Sequence, residues 1–154
     1  MKTYEIDVVE QKLQTQETVA FLTRGASMSP LLRTHKDIVV ISKAKHPLKV
    51  GEVPLYKVSG VKNLILHRII DVAPDGTYII RGDNTYKKEY IPQENVVGVM
   101  TAVYRGGKYI DCANSKFYKF YVKLNRFLYP LRWLWKTKIR VSLSFIKRKI
   151  TGGR

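Results

Sequence analysis

The sequence NLILHRIIDVAPDGTYIIRGDN, residues 63–84, contains two apolar runs separated by a short turn. The runs at 63–72 and 77–82 are rich in isoleucine, valine and tyrosine, which favour extended backbone on a half-buried surface. The APDG between them and the RGDN that closes the stretch are combinations typical of turns. This stretch therefore predicts two β-strands joined by a turn.

The same alternation of apolar runs and turns extends over most of the first 112 residues. Further runs of this kind lie at residues 17–23, 37–42, 52–58, 96–104 and 108–112. No long helical pattern separates them, so together the runs predict a compact antiparallel β domain. Pro54 cannot donate a backbone hydrogen bond, which predicts that its strand lies at a sheet edge or contains a bulge.

A short helix is predicted near the N-terminus, where Ile6, Val9 and Leu13 recur at helical spacing within residues 4–16. The same region contains acidic side chains and no long apolar run, so it does not resemble a signal peptide. No stretch of the sequence reaches about 18 uninterrupted apolar residues, the length of an ordinary membrane-spanning helix. We therefore expect a protein that is cytoplasmic or attached peripherally to a membrane.

The last quarter of the chain changes both its period and its charge. Apolar side chains recur every three or four residues from 117 to 135, and Pro130 is expected to split or kink the resulting helix. The whole chain has 28 basic and 12 acidic residues, a net charge of +16, yet residues 112–154 contain 12 of the basic residues and no acidic one. The sequence thus predicts a β domain at 1–112 and a basic amphipathic helical tail at 113–154.

The charge of the tail predicts an anionic partner. A basic amphipathic helix with aromatic side chains is typical of segments that bind the surface of an anionic membrane. The residues expected at such a surface are Lys116, Lys119, Lys123, Arg126, Trp133 and Trp135. Two alternatives remain open, in which the tail covers the β domain or docks a protein partner. Nucleic acid is not expected, because no base-reading motif accompanies the charge.

The sequence offers little for a disulfide or a metal. Cys112 is the single cysteine, which excludes an intramolecular disulfide and a cysteine-based metal site. The three histidines, His35, His46 and His67, do not have the spacing of zinc ligands. We therefore expect no metal and no other cofactor.

The segment TRGASMSPLLR, residues 23–33, places Ser27 in a turn among small residues. A serine becomes a good nucleophile only when a base lies within about 2.6–3.2 Å, and acyl transfer also needs backbone N–H groups directed at the developing oxyanion. The small residues Gly25 and Ala26 would let a substrate carbonyl approach the main chain beside Ser27. Taken alone, however, a serine in such a segment is usually part of an ordinary turn.

Two other segments supply partners for a nucleophile. His67 lies inside an apolar run, where an imidazole without a partner costs free energy. Asp83 and Glu89 follow in the segment RGDNTYKKE. A serine, a histidine and an acid from three separated segments form the constellation of acyl-transfer catalysis, which is defined by roles and not by chain order.

Four segments resemble, in order, the signature boxes of the type I signal peptidases, whose fold is shared with LexA-like self-cleaving repressors. They are GASMSPLLRTHKDIVVIS at 25–42, VGEVPLYKV at 50–58, LHRIIDV at 66–72 and the span from IIRGDNTYKKE to VVG at 79–98. The family boxes are approximately SGSMxP, GDxV, a segment that contains the base, GDN and VVG. Bacterial signal peptidases and the repressors use a lysine base, whereas the ER and archaeal enzymes have a histidine followed by arginine, as this chain does.

The resemblance covers about residues 17–104 and implies a serine endopeptidase that cleaves a leader or signal peptide next to small residues. Ser27 would be the nucleophile, and His67 would accept its proton and then protonate the leaving amine. Glu89 would orient the imidazole, and the N–H of Ser27 would be one oxyanion donor. The backbone of Gly25 and Ala26, with that of Ser27, is expected to surround the oxyanion. The residues expected to support the site are Met28, Pro30, Asp37, Arg68, Asp83 and Asn84.

The sequence departs from the family pattern at two places near the proposed nucleophile. Gly25 stands where signal peptidases commonly have a serine whose hydroxyl assists the oxyanion, which leaves the second oxyanion donor open. The segment RTHKD replaces the usual RGD, although Asp37 keeps the acid. Two alternatives therefore remain: a LexA-like self-cleaving regulator, whose base would be lysine, and a non-catalytic relative that binds peptides.

Overall fold

The computed structural model describes residues 6–61 and 63–134. In chain order its elements are α1 (Ile6–Thr15), β1 (Thr18–Leu22), β2 (Ile38–Ser42), β3 (Pro54–Tyr56), β4 (Ile65–Leu66), β5 (Arg68–Val72), β6 (Tyr78–Arg81), β7 (Glu89–Ile91), β8 (Val96–Arg105), β9 (Lys108–Asp111) and α2 (Lys116–Leu134). The protein is mainly β, its strands pair antiparallel, and a helix follows them, which confirms the predicted antiparallel β class with a C-terminal helix.

The strands form two antiparallel sheets in the described part of the chain. The large sheet has the order β1-β2-β8-β3-β4, and β9 also pairs with β8. β8 is long enough for β3 to pair with its residues 96–99 while β9 pairs with its residues 102–105. The small sheet has the order β5-β6-β7.

The main core lies where side chains of the two sheets meet. Tyr56 and Val99 of the large sheet pack with Ile69, Tyr78 and Ile80 of the small sheet, and all five are buried. Burial of one large apolar side chain contributes about 1.5–3 kcal/mol, so this cluster holds the sheets together. The two sheets therefore give a rigid base for the loops that connect them.

α1 packs its apolar side against the large sheet. Val9 and Leu13 lie one helical turn apart and are both buried, and Leu13 Cδ1 lies close to Gly98 of β8. The helix lies within residues 4–16, where the spacing predicts one.

The chain divides into two compact units, residues 1–119 and 120–154. α2 starts in the first unit and ends in the second. It continues through Pro130 to Leu134. Of the two effects predicted for this proline, a split or a kink, the split is therefore wrong, because the loss of one intrahelical hydrogen bond does not stop the helix-forming residues around it. Neither helix of the described residues has both the length and the apolar character needed to cross a bilayer. Residues 135–154 of the predicted tail lie outside the described residues.

The predicted strand at 63–72 is two strands, and His67 lies between them. β4 pairs with β3 in the large sheet through Leu66, whereas β5 pairs with β6 in the small sheet through Arg68. A run of apolar residues does not show which strand each half of the run will pair with. The passage of the chain from the large sheet to the small sheet therefore could not be predicted from composition. His67 is thereby placed at the junction of the two sheets.

β3 and β7 also differ from the prediction. β3 lies between β8 and β4, so the edge position predicted from Pro54 is wrong, and the alternative of a bulge is correct because the register with β8 shifts between Leu55 and Tyr56. Pro54 is the first residue of its strand, where a missing N–H is tolerated. β7 was not predicted, because three residues that follow two lysines carry too weak a strand pattern.

Candidate active site

The loop that carries Ser27 connects β1 to β2 and is closed at its base. The Thr23 hydroxyl lies 2.8 Å from the carbonyl oxygen of Arg33 and 3.0 Å from that of Asp37, and the Thr23 N–H donates to Asp37 as well. These bonds join the residue that enters the loop to the residues that leave it. The two ends of the loop are therefore held together.

Asp37 strengthens this closure with a buried carboxylate. It accepts the backbone N–H of Arg33 at 2.8 Å and the guanidinium of the same residue at 2.7 Å, and Arg105 Nε lies 4.0 Å away. Burial alone would raise the pKa of Asp37, but the hydrogen bonds and charge of Arg33 hold it below its ordinary value. The carboxylate stays charged and pins the loop.

Ser27 lies at the wall of a cavity of about 390 Å³. Its side chain is half-buried, and within the described residues neither its Oγ nor its N–H makes a hydrogen bond. Gly25, with φ +77°, turns the backbone just before it, and Met28 just after it is buried. Ala26 and Pro30 are exposed. A free hydroxyl and a free N–H at one residue match the needs of a nucleophile and an oxyanion donor.

The turn after β6 packs directly on this loop. Asn84 donates its backbone N–H to the carbonyl of Ser27 at 2.7 Å and its side-chain amide to the carbonyl of Ala26 at 3.1 Å. A Cβ added to Gly82 would lie 2.7 Å from the carbonyl oxygen of Ser27 and 3.0 Å from Cδ2 of His67. Only glycine fits between the two residues, and they are close neighbours.

His67 is buried, and its two ring nitrogens have different surroundings. Nδ1 lies 3.0 Å from the hydroxyl of Tyr56, whereas Nε2 is buried and has no hydrogen-bond partner among the described residues. Ser27 Oγ is not within hydrogen-bond distance of Nε2 in this structure. Catalytic hydrogen bonds are often long before substrate binds, so the separation is compatible with a serine–histidine pair.

Glu89 reaches His67 mainly through Tyr56. The Tyr56 hydroxyl donates to Glu89 Oε2 at 2.5 Å, while the other carboxylate oxygen lies 3.5 Å from Nδ1 of His67. The three side chains come from β3, β7 and the junction between β4 and β5. They form a polar cluster between the two sheets.

The surroundings keep His67 neutral. Burial lowers the pKa of His67 below its ordinary value, and the carboxylates of Glu89 and Asp83 offset only part of this effect. Burial and the neighbouring carboxylate of Glu89 raise the pKa of Tyr56, so its hydroxyl keeps its proton. A neutral imidazole with a free nitrogen is the form that can accept a proton from a hydroxyl.

Asp83 is engaged elsewhere, with Arg68. The guanidinium donates to both carboxylate oxygens at 2.8 and 2.7 Å, and it also donates to the carbonyl of Gly51 and the hydroxyl of Tyr118. Burial alone would lower the pKa of Arg68, but the hydrogen bonds and charge of Asp83 raise it above its ordinary value. This pair fixes the turn after β6 to the start of β5.

The cavity beside Ser27 has mostly apolar walls. These walls come from α1, from the two outer strands β1 and β4, and from the strands between them. The apolar side chains include Val9, Leu22, Val39, Leu55, Ile65 and Leu66. β1 and β4 stand at opposite ends of the large sheet's order. Both strands nevertheless contribute to the walls of this one cavity.

The structure places five of the six predicted surface residues of the tail on α2. Lys116, Lys119, Lys123 and Arg126 are exposed, Trp133 is 46% exposed, and Trp135 lies outside the described residues. The same helix exposes an apolar stripe at three- and four-residue spacing: Phe117, Phe120, Leu124, Phe127 and Leu131. α2 therefore presents aromatic and cationic side chains together.

The described residues do not meet the needs of a metal site or of a cysteine nucleophile. No three histidine, cysteine, aspartate or glutamate side chains there are grouped so that they could hold a metal ion. Burial raises the pKa of Cys112 to about 11, which keeps this thiol protonated and unsuited to act as a nucleophile.

Three residues at the site were missed in the sequence. Tyr56 looks like an ordinary core residue of a strand, and Thr23 like the end of one, so neither gave a signal. Gly82 is part of the GDN box, and a glycine there could have indicated a close backbone approach. No family model and no curated protein matches this chain.

Proposed function

We propose that this protein is a serine endopeptidase with the signal peptidase/LexA-like fold, in which Ser27 is the nucleophile and His67 the general base. The observation that carries the proposal is the proximity of the two residues at Gly82. The backbone oxygen of Ser27 lies 2.7 Å, and Cδ2 of His67 3.0 Å, from the place a Cβ would take there, and Nε2 of His67 has no hydrogen-bond partner among the described residues. A buried nitrogen without a hydrogen-bond partner costs about 1–3 kcal/mol. In the proposed function this nitrogen is left free because it accepts the proton of the Ser27 hydroxyl.

In the proposed mechanism, Ser27 Oγ attacks the carbonyl carbon of the scissile peptide bond as its proton moves to Nε2 of His67. The oxyanion of the tetrahedral intermediate accepts the N–H of Ser27, which has no other partner among the described residues. The imidazolium then gives its proton to the leaving amine as the C–N bond breaks. A water molecule, activated by the same imidazole, hydrolyses the acyl-enzyme.

The proposed substrate is an extended peptide that enters the cavity beside Ser27. The apolar lining favours apolar side chains near the scissile bond, and the flanking strands favour β-type pairing with the peptide backbone. The resemblance to signal peptidases adds a preference for small residues at the cleavage site and points to a leader or signal peptide. A LexA-like regulator is disfavoured because the candidate base near Ser27 is His67, whereas the base of those regulators is a lysine.

We also propose that the protein works at the surface of an anionic membrane. The five exposed apolar residues of the α2 stripe would enter the interface, while the exposed lysines and arginine of the same helix contact lipid phosphates. Residues 112–154 contain 12 basic residues and no acidic one, which complements an anionic surface. A peptidase held there would meet substrates that leave or enter the membrane.

The catalytic proposal is tested with a fluorophosphonate probe, which reacts with activated serines. Wild-type protein should be labelled, Ser27→Ala should not, and His67→Ala should lose about 10³-fold or more in labelling rate. Ser29→Ala is the matched control, because Ser29 lies in the same loop and should leave labelling unchanged. Equal labelling of Ser27→Ala and wild type would refute the assignment, and absence of labelling in a folded wild type would favour the peptide-binding relative.

The membrane proposal is tested by flotation of the full chain with vesicles. Binding to vesicles of phosphatidylserine and phosphatidylcholine should exceed binding to phosphatidylcholine alone, and it should weaken at high salt. Exchange of Phe120 and Phe127 for serine should release the protein, whereas Tyr109→Ser, at another exposed aromatic residue, in β9, should not. Equal binding by all variants, or none by the wild type, would contradict the proposal.

A further inference from the structure

Tyr56 is completely buried, and its hydroxyl lies between a carboxylate and an imidazole. It is 2.5 Å from Glu89 Oε2 and 3.0 Å from Nδ1 of His67. Both distances are within hydrogen-bond range, whereas the direct approach of Glu89 to Nδ1 is longer, at 3.5 Å. The phenol is thus the closest polar partner of His67.

The number of available hydrogens determines the direction of each bond. A phenol has one hydrogen, and here it is donated to Glu89, because a carboxylate can only accept. The oxygen of Tyr56 must then accept the hydrogen of the second bond, so Nδ1 of His67 is the donor. A neutral imidazole has one N–H, and with that hydrogen on Nδ1 the lone pair is on Nε2.

We propose that Tyr56 is a positioning residue that couples Glu89 to His67 and fixes the imidazole in the tautomer with its hydrogen on Nδ1. The inference rests on the proposed function, in which Nε2 must be free to accept the proton of Ser27. Glu89 acts through Tyr56, since without its carboxylate the phenol could turn its hydrogen toward Nδ1 and stabilise the opposite tautomer.

The position of Tyr56 in the fold adds to this role. It lies on β3 of the large sheet, Glu89 lies on β7 of the small sheet, and His67 lies at the junction of the two sheets. The chain of two hydrogen bonds therefore holds the imidazole from both sheets. Burial and the adjacent carboxylate raise the pKa of Tyr56, which keeps the phenol in the donor form.

The test is Tyr56→Phe, which removes only the hydroxyl. Imidazole ¹⁵N and ¹³C NMR of the full chain above pH about 8, where histidine is neutral, reports the tautomer of His67 directly. We expect the Nδ1–H tautomer in the wild type and a mixture in Tyr56→Phe. We also expect kcat to fall by about 10- to 100-fold with little change in KM, less than the full 10²–10⁴-fold of a general base.

Two further variants separate positioning from stability. Tyr78→Phe removes the hydroxyl of an equally buried tyrosine, one that accepts the N–H of Leu48, and it should reduce stability without changing the tautomer of His67. Glu89→Gln keeps an oxygen that can accept from Tyr56 and should retain more of the Nδ1–H tautomer than Glu89→Ala.

A wild-type His67 in the Nε2–H tautomer, or no change of tautomer in Tyr56→Phe, would overturn the inference. If Tyr56→Phe does not fold, the wild-type tautomer and the two Glu89 variants still decide it. The NMR result does not depend on peptide cleavage, so it stands apart from the labelling test of Ser27.

Discussion

His67 and Arg68 are consecutive in the chain and similarly buried, yet their surroundings differ. Arg68 donates from each of its guanidinium nitrogens, to Asp83, Gly51 and Tyr118. His67 has a partner for Nδ1 and none for Nε2 in the described residues. The first pattern is that of a group which holds structure together, and the second leaves one atom available for chemistry.

This difference separates the roles of the two nearby acids. Asp83 forms a bidentate pair with Arg68, so its charge serves the fold, whereas Glu89 faces His67 and the hydroxyl of Tyr56. A buried charge that is paired on all sides is costly to disturb. A buried imidazole that lacks one bond already weakens the fold and can be altered at lower cost. Disruption of the Arg68–Asp83 pair should therefore mainly reduce stability, whereas substitution of His67 should mainly reduce activity.

The largest expected effect on stability follows from removal of the partner of Arg68. Asp83→Ala should lower the free energy of unfolding by about 3–5 kcal/mol, because it leaves a buried guanidinium without its counter-charge. Urea denaturation measures the loss. Asp71→Ala, at an exposed acid on β5, is the control and should change stability by less than about 0.5 kcal/mol. A loss below about 1 kcal/mol for Asp83→Ala would show that the pair is not structural.

An intermediate effect on stability is expected where the turn after β6 meets the Ser27 loop. Gly82→Ala would force a Cβ against the backbone oxygen of Ser27 and the ring of His67, so it should cost about 1–3 kcal/mol and displace both residues. Fluorophosphonate labelling should fall with it. Gly107→Ala, strained by φ +79° in the turn after β8, should reduce stability but leave labelling intact. Parallel behaviour of the two variants would argue against close contact between Ser27 and His67.

The smallest expected effect is the pH dependence contributed by His67. The pKa of His67 is lowered in the folded state, so below pH about 6.5 the unfolded chain binds a proton that the folded chain does not. The free energy of unfolding therefore decreases as the pH is lowered. The decline, at most about 1.4 kcal/mol per pH unit, ends below the folded pKa. Labelling of Ser27 should likewise persist to a pH below about 6.5.

Urea denaturation between pH 5 and 8 tests this dependence. His67→Gln should lose part of the slope, since glutamine does not titrate in this range, while His35→Gln, at an exposed histidine, should keep it. Identical slopes for the wild type and His67→Gln would contradict the lowered pKa.

Local patterns in the sequence predicted the β class because strand propensity and turns are properties of neighbouring residues. The runs rich in valine and isoleucine became β1, β2, β6, β8 and β9 with small changes at their ends. The crossing at His67 was not predictable, since it depends on which distant strands pair with Leu66 and Arg68. The short β7 was missed because it is stabilised by pairing with β6 and not by its own composition.

The candidate site was predictable only in part for the same reason. Ser27 and His67 could be selected from their segments, but the sequence could not show that Gly82 separates them or which acid serves the histidine. Tyr56 gave no signal, because a tyrosine in an apolar strand usually belongs to the core. Its role depends on a hydroxyl that meets groups 11 and 33 positions away in the chain.

The closed base of the Ser27 loop should make the loop tolerant of changes in its length. Thr23, Arg33 and Asp37 tie its ends together, and His35 adds a backbone hydrogen bond to Thr23. Lengthening of a closed loop adds little entropic cost, about 0.6 kcal/mol for each doubling, so insertions at exposed positions should be tolerated while the anchor points and the buried Met28, Leu31 and Leu32 remain. Insertions there would change the rim of the cavity beside Ser27 and leave the two sheets as they are.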